Sequence, residues 1–522
     1  MSAQQVVYQV EPSRAAELLD RVQATFTGGR VRSETSEATY LDTFDWRVLR
    51  AHASLAVSSD GEKLAWLAPD EPEPLTAALH AVPPAFAWDV APGALRERLQ
   101  EVLDVRRAFP VAEVRRRSRT LDLLDHENKT VARVQVQERF VRPPSNGGAA
   151  VDWCPVPSIL VLHSLRGYER EFDLFERFLC FNLELPRHDA SEYEDALSGL
   201  DGGPVDRRRR RGQDPTESAD RALRAVLSDL LDDIERNVPG TIGDLDTEFL
   251  HDLRVATRKS RALLSEFDTV LPRAATEHYG GALRRLGRAT GPTRDLDTNL
   301  LALAGYRRLL RPEDIPGLEP FVEVLSRRRA KARAQLAQYL ESDEFRAFLT
   351  NWREFLANPL GEARRTADGA RRIVVVAVEH VASRLDKVLA SGREVTPESD
   401  PAQLHELRIR CKKLRYLLEA FGGLVDSRRR KRALADLERM QGVLGEVNDL
   451  AIHVELIEKV ACEEASSLSA RTLLVLGRLA ARLDLERERS GSRFFERFRR
   501  FTKESRVERL RRALEEARKE HA

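Results

Sequence analysis

The chain has 522 residues, too many for one typical core, so two or three domains are expected. Lys plus Arg (85) nearly cancels Asp plus Glu (84), which excludes a globally basic nucleic-acid coat; any anion site has to come from local charge segregation. Cys154, Cys180, Cys411 and Cys462 are scattered without a CxxC spacing, so neither a zinc site nor a disulfide framework is suggested. The start, Met-Ser-Ala-Gln-Gln, lacks a signal-peptide pattern, and the apolar runs are far short of the roughly 20 residues a membrane span needs. A soluble cytoplasmic protein is the expectation.

Residues 1 to about 200 read as α+β with several antiparallel strands. Helical stretches are expected at residues 13–24 and 94–108. Residues 131–138 alternate, with Val134 and Val136 on one side and Arg133, Gln135 and Gln137 on the other. Asp125-His-Glu-Asn-Lys129 before them reads as a hairpin loop. Gly202, Gly203 and Pro204, the arginine block 207–211 and Gly212 to Pro215 read as a linker over 201–215. From 216 to about 515, helical periodicity takes over. Pro239-Gly240, Pro292, Pro316-Gly317 and Gly422-Gly423 are expected at the joints.

This helical part repeats itself. His-Asp-Leu-Arg at 251–254 returns as His-Glu-Leu-Arg at 405–408, an offset of 154 residues. The same offset pairs Asp246 with Asp400, Lys259 with Lys413, Arg261 with Arg415, Phe267 with Phe421, Gly291 with Gly445 and Asp295 with Asp449. A register held over about fifty residues implies a duplicated unit, with halves near 216–360 and 370–515. At about 100° per residue, His251, Arg254, Arg258 and Arg261 share one stripe, and Leu253, Ala256, Leu263, Leu264 and Phe267 oppose it. His405, Arg408, Lys412 and Arg415 repeat the stripe against Leu407, Leu414, Leu417, Leu418 and Phe421. Asp246 and Asp400 are candidate N-caps, with Pro401 at the first helical position and Gly422 at the stop. Like charges at this spacing repel, and a polyanion laid along the stripe would remove the repulsion. The alternative is a solvated, ion-paired helix face. Arg284, Arg285 and Arg288, the run from Arg327 to Arg333, and Arg478, Arg482 and Arg489 could widen the surface, but that alternative is preferred for most of them and for the helix start 428–432.

The doubled His-x-x-Arg-x-x-x-Arg/Lys-Lys-x-Arg motif, each copy followed by a Gly-x-x-Arg/Asn-Asp turn, resembles the CHAD domain over residues 216–515. The resemblance implies two pseudo-twofold-related four-helix bundles and non-catalytic binding of inorganic polyphosphate. The implied binding residues are His251, Arg254, Arg258, Lys259, Arg261, His405, Arg408, Lys412, Lys413 and Arg415. It also implies association with polyphosphate granules and their proteins.

Residues 1–200 resemble a CYTH domain, a triphosphate tunnel, through Tyr40-Leu-Asp-Thr-Phe-Asp45 and a strand at Gly167-Tyr-Glu-Arg-Glu171; CYTH before CHAD is a bacterial arrangement. Active members carry E-x-E-x-K and Arg-x-Arg strands and a Leu-Thr-x-Lys segment. Here there is no Glu or Lys before Glu11, Ala56 and Ser58 replace the arginines, and Leu67 replaces the lysine. A degenerate tunnel with no catalytic residues, metal or cofactor is therefore expected. A residual anion site at Arg115, Arg116, Arg117 and Arg119 is the weaker option. A metal-dependent triphosphatase of the CYTH type, and nucleic-acid binding through the same basic helices, are the competing functions. The basic rows lack the stacking aromatics of single-strand binders apart from Tyr416.

Overall fold

Long strands of alternating apolar and polar residues build the first part of the chain. The computed structural model describes residues 5–521 apart from 27, 70, 72, 80–82, 145–150, 201–213, 359–364, 397, 398, 400, 425 and 426. Most of the expected linker and the N-cap candidate Asp400 thus lie outside the described residues. The chain divides into two compact units, Met1–Arg208 and Arg209–Ala522.

In the first unit, eight strands form one open antiparallel sheet. They are β1 (Gln5–Val10), β2 (Arg32–Thr43), β3 (Ser54–Ser58), β4 (Lys63–Leu67), β5 (Leu75–Ala78), β6 (Ala108–Leu124), β7 (Thr130–Arg142) and β8 (Cys154–Ser164). Their spatial order is β1-β8-β7-β6-β2-β3-β4-β5. The helices are α1 (Ala15–Thr25), α2 (Arg47–Arg50), α3 (Ala94–Leu103), α4 (Glu169–Arg177) and α5 (Glu192–Ser198). Val134 and Val136 face one side, as their alternation predicts, and are buried with Leu121, Leu160 and Leu162 under α1 and α4.

The opposite face is polar where Ser118, Thr120 and Asp122 pair in register with Gln137, Gln135 and Arg133. Further along, α5 covers it. Tyr193, Ala196 and Leu197 pack on Ala38, Tyr40, Ala56, Val114 and Val141. Buried polar contacts hold this helix down. Arg139 on β7 meets Asp195 at 2.6 Å, His188 meets the same carboxylate at 2.7 Å, and the Tyr193 hydroxyl donates to Asp42 at 2.9 Å.

Two sequence expectations fail here for local reasons. The helix expected over 94–108 stops at Leu103, because Asp104 adopts φ 54°, and Ala108 already opens β6. Gly167 to Glu171 is not a strand. Gly167 turns at φ 91° and Glu169 begins α4, whose Phe172 and Phe175 bury one helical stripe.

The second unit is helical: α6 (Ala219–Ile242), α7 (Thr247–Glu266), α8 (Arg273–Leu309), α9 (Glu319–Leu340), α10 (Asp343–Ala357), α11 (Ala367–Ala370), α12 (Ile373–Glu394), α13 (Pro401–Phe421), α14 (Ser427–Glu463), α15 (Ala470–Phe501) and α16 (Glu504–His521). The 154-residue offset carries α7 onto α13 and α8 onto α14, both of the latter 37 residues long. Each half contributes five main helices among the described residues, α6–α10 and α12–α16, one more than a four-helix unit needs. One apolar core runs through both halves, from Leu223, Leu253 and Leu283 to Leu385, Leu414 and Leu444.

Pro239 and Pro292 are not joints but lie inside α6 and α8. Gly240 lets the Phe249 ring of α7 lie directly on the α6 backbone, where any Cβ would collide. Likewise Gly291 to Asp295 and Gly445 to Asp449 are not turns; they belong to the interiors of α8 and α14.

Candidate polyanion-binding surface

Asp246 caps α7 by accepting from the backbone N–H groups of Glu248 at 2.9 Å and Phe249 at 3.2 Å. From that start the helix buries Leu250, Leu253, Ala256, Leu263 and Leu264. On α13, Leu407, Cys411, Leu414, Leu417 and Leu418 do the same. The apolar stripes fix the rotation of both helices, so the cationic stripes end up on predictable faces.

The two helices meet reciprocally. Lys259 of α7 reaches Glu419 of α13 at 2.7 Å, and Lys413 of α13 reaches Glu266 of α7 at 3.1 Å. The lysines are equivalent under the 154-residue offset while the two glutamates are one residue out of that register, so the exchange is an approximate twofold relation between the helices. Arg258 and Lys412, equivalent under the 154-residue offset, act on each other electrostatically; so do Asp295 and Asp449. The axis therefore runs between these pairs, and the two cation rows converge on it.

Their partners differ sharply. Arg254 donates to the Thr290 hydroxyl at 3.1 Å and the Gly287 carbonyl at 3.3 Å, both neutral groups of α8. Arg258 and Arg408 each carry a buried Nε–H without an acceptor among the described residues. Arg408 stands 3.6 Å from Asp449. Arg261 lies beside Arg284 and Arg288. Gly287 makes room for it, since a Cβ there would stand 3.2 Å from its guanidinium. His405 is exposed and its Nδ1 meets Asn448 Oδ1 at 2.7 Å; His251 is half-buried. Three expected residues are instead engaged by carboxylates: Lys259, Lys413 and Arg415, the last 3.2 Å from Glu419.

Crowding of like charge leaves its mark on protonation. Burial lowers Arg254, Asp295 opposes this, and Arg258 and Arg294 lower it further. Burial also lowers Arg408, against Asp449 and with Arg258. A guanidinium stays charged regardless. Lys412 does not share that margin. Burial first, then Arg408 and Arg258, bring its amine down to about 7, with Asp449 opposing and Arg415 adding. Desolvation raises the Asp295 carboxyl, Arg254 and Arg294 lower it, and Asp449 raises it again.

The other arginine runs are mostly neutralised. Arg285 pairs with Glu344, Arg328 with Glu463 and Glu464, Arg329 with Asp244 and Asp297, and Arg478 with Asp314. Arg284 and Arg288 differ, because they extend the row of Arg261. Sequence reasoning missed Glu266 and Glu419, the two acids built into the seam. Only the i,i+4 spacing of Arg415 and Glu419 hinted at one of them.

Residues 225–458 match the CHAD domain family. The chain carries a CHAD domain. Among solved structures, it is similar to the CHAD domain from the plant Ricinus communis, with 26% identity and a TM-score of 0.43, covering 53% of this chain and 93% of that one. PptA from Streptomyces chartreusis is similar at 18% identity and a TM-score of 0.44, covering 54% and 100%. A candidate adenylate cyclase from Bacillus halodurans is similar at 8% identity and a TM-score of 0.25, covering 37% and 96%. No curated protein matches the chain. Within the CHAD domain lie all ten residues of the doubled motif. Among the described residues, no helix is long and apolar enough to cross a membrane, and no group of three or more His, Cys, Asp and Glu could hold a metal ion.

Proposed function

We propose that the CHAD domain binds inorganic polyphosphate without turning it over, along the axis where α7 and α13 meet. The observation that carries this reading is the pair of buried Nε–H groups on Arg258 and Arg408 that lack an acceptor among the described residues. A buried unmet donor costs about 1–3 kcal/mol, and more when charged. A phosphate oxygen offers the acceptor and the counter-charge together. A chain of phosphates can satisfy Arg254, Arg258, Arg408 and Lys412 in succession and extend toward Arg261, Arg284 and Arg288. Lys259, Lys413 and Arg415 serve the seam in this reading, and His251 and His405 flank the row. Association with polyphosphate granules would follow from such binding.

The first unit is read as a CYTH-like sheet without catalysis. Its edge strand β1 presents Gln5, Val7 and Gln9 in register with His163, Val161 and Ile159, so no carboxylate pair stands there for a metal. Ala56 is buried under α5 among apolar side chains. Arg32 and Arg133 both pair with Asp122.

The test is competition between polyphosphate and oligonucleotides of equal charge for the full-length protein at physiological salt. Preferential polyphosphate binding is expected; preference for the oligonucleotide overturns the assignment. Phosphate release from tripolyphosphate with Mg²⁺ or Mn²⁺ should stay at background, and clear turnover would contradict the non-catalytic reading.

A further inference from the structure

The doubled motif contains three lysines, and two of them are occupied by carboxylates, Lys259 by Glu419 and Lys413 by Glu266. Lys412 has no carboxylate within ion-pair distance among the described residues. Its charged surroundings are Arg258 on α7, Arg408 and Arg415 on α13, and Asp449 on α14. The side chain is half-buried but reachable from the surface. An ammonium here is opposed by burial and then by the guanidiniums, which is why its pKa falls to about 7. Burial and the flanking guanidiniums thus favour the neutral amine with its free lone pair, the state a nucleophilic amine needs. Arg258 and Arg408, the two guanidiniums that act on it most, each carry a buried Nε–H without an acceptor among the described residues, and Arg408 also stands 3.6 Å from Asp449.

A nucleophile next to an anion cradle selects for electrophiles that carry an anion. We propose that Lys412 is a covalent modification site for small acyl phosphates, the mixed anhydrides of a carboxylic acid and phosphoric acid. The phosphate end settles on Arg258 and Arg408, which brings the acyl carbon to Nζ. The Nζ lone pair attacks that carbon. The bond from the acyl carbon to the bridging oxygen breaks, and inorganic phosphate leaves with the electron pair. The proton lost from nitrogen goes to water. The products are an amide on Lys412 and free phosphate, with no oxidant or reductant involved. The positive charge of the protonated amine at the axis is thereby removed for good, so modification weakens polyanion binding, and a bound polyanion shields the amine. The phosphate-steering part rests on the anion-binding reading above.

The experiment exposes the full-length protein to acetyl phosphate near neutral pH and follows each lysine by peptide mass spectrometry. N-hydroxysuccinimide acetate serves as the uncharged acyl donor. With acetyl phosphate, Lys412 should be acetylated about tenfold faster than Lys259 or Lys413, in line with activation of a desolvated lysine among cations. In Arg258→Gln, the ratio of the acetyl phosphate rate to the uncharged-donor rate at Lys412 should drop. If Lys412 reacts no faster than Lys259 and Lys413 with acetyl phosphate, the proposal is overturned. An equal preference for Lys412 with both donors overturns steering by phosphate. Polyphosphate binding with no Lys412 selectivity sinks this proposal alone. Selectivity without polyphosphate binding sinks the polyphosphate reading alone.

Discussion

On β6, Arg115 meets Glu37 at 2.6 Å and Arg116 meets Glu192 at 2.5 Å, while Arg139 and Arg142 of β7 meet Asp195 and Glu113, each at 2.6 Å. On α7, Arg254 donates to two neutral groups of α8 with Asp295 acting on it, Arg258 has an Nε–H without an acceptor among the described residues, and Arg261 lies beside two further arginines. Both regions are dense in arginine. In the sheet, each of these cations has an acid opposite, and the charge serves to seat α5 and stitch strands. Around the α7–α13 axis two acids are taken up by the seam, on Lys259, Lys413 and Arg415, and the remaining cations crowd one another around Asp449, 3.6 Å from Arg408, and Asp295, which acts on Arg254. Arginine density therefore says little about anion binding until each cation's partner is known.

That contrast can be broken at several points. The largest effect is expected in the sheet. Asp195→Ala leaves Arg139 buried without its carboxylate, and removing one partner of a buried pair costs about 3–5 kcal/mol. The unfolding transition of the first unit should fall markedly in a thermal or denaturant scan, with polyphosphate affinity unchanged. Next comes the axis. Arg258→Gln with Lys412→Gln removes two charge-assisted contacts of about 1.5 kcal/mol each, or about a hundredfold in affinity. Arg115→Gln with Arg142→Gln should leave affinity as it was, measured by the same titration. Equal losses in both double variants would mean that pairing does not distinguish the regions.

A smaller effect concerns pH. On the proposed reading polyphosphate meets the protonated amine, so affinity should be full below the Lys412 pKa of about 7 and fall as pH rises through it. One proton limits the slope to about tenfold per pH unit. Lys412→Arg should flatten the profile, because a guanidinium does not titrate there. The smallest effect is expected for Lys259→Gln, whose charge Glu419 already offsets; a change within about threefold in affinity suits a partly exposed ion pair.

Much of the helical unit was legible in the sequence, because burial imposes a period. Leu253, Leu263 and Leu264 had to point inward, which put Arg254, Arg258 and Arg261 on the other side. The duplication fixed which residues were equivalent. What the pattern could not show is how the copies face each other. Glu266 and Glu419 belong to neither stripe, and only tertiary contact pairs them with lysines 147 or more residues of register away in the other copy's motif. The charge pressure on Lys412 has the same origin, since Arg258 comes from the other copy's helix. Charge reversal of Arg254 and Arg408, which a purely outward-facing row would tolerate, would instead place carboxylates in half-buried positions. In the sheet, period-two alternation revealed Val134 and Val136, but the family resemblance placed a strand at Gly167 to Glu171, where α4 begins. Pro239 and Pro292 lie inside α6 and α8 although proline removes a backbone donor and crowds the preceding turn, so proline alone does not mark a joint.

The salt dependence of polyphosphate affinity tests the central claim most directly, measured for the full-length protein and for the Arg258→Gln, Lys412→Gln variant. The account predicts tight binding that weakens steeply with salt in the native protein. It also predicts a shallower logarithmic slope in the variant, lower by about one to two units for two phosphate-facing cations. Identical slopes in the two proteins would contradict it, because the cations at the axis would then not be the ones that meet phosphate.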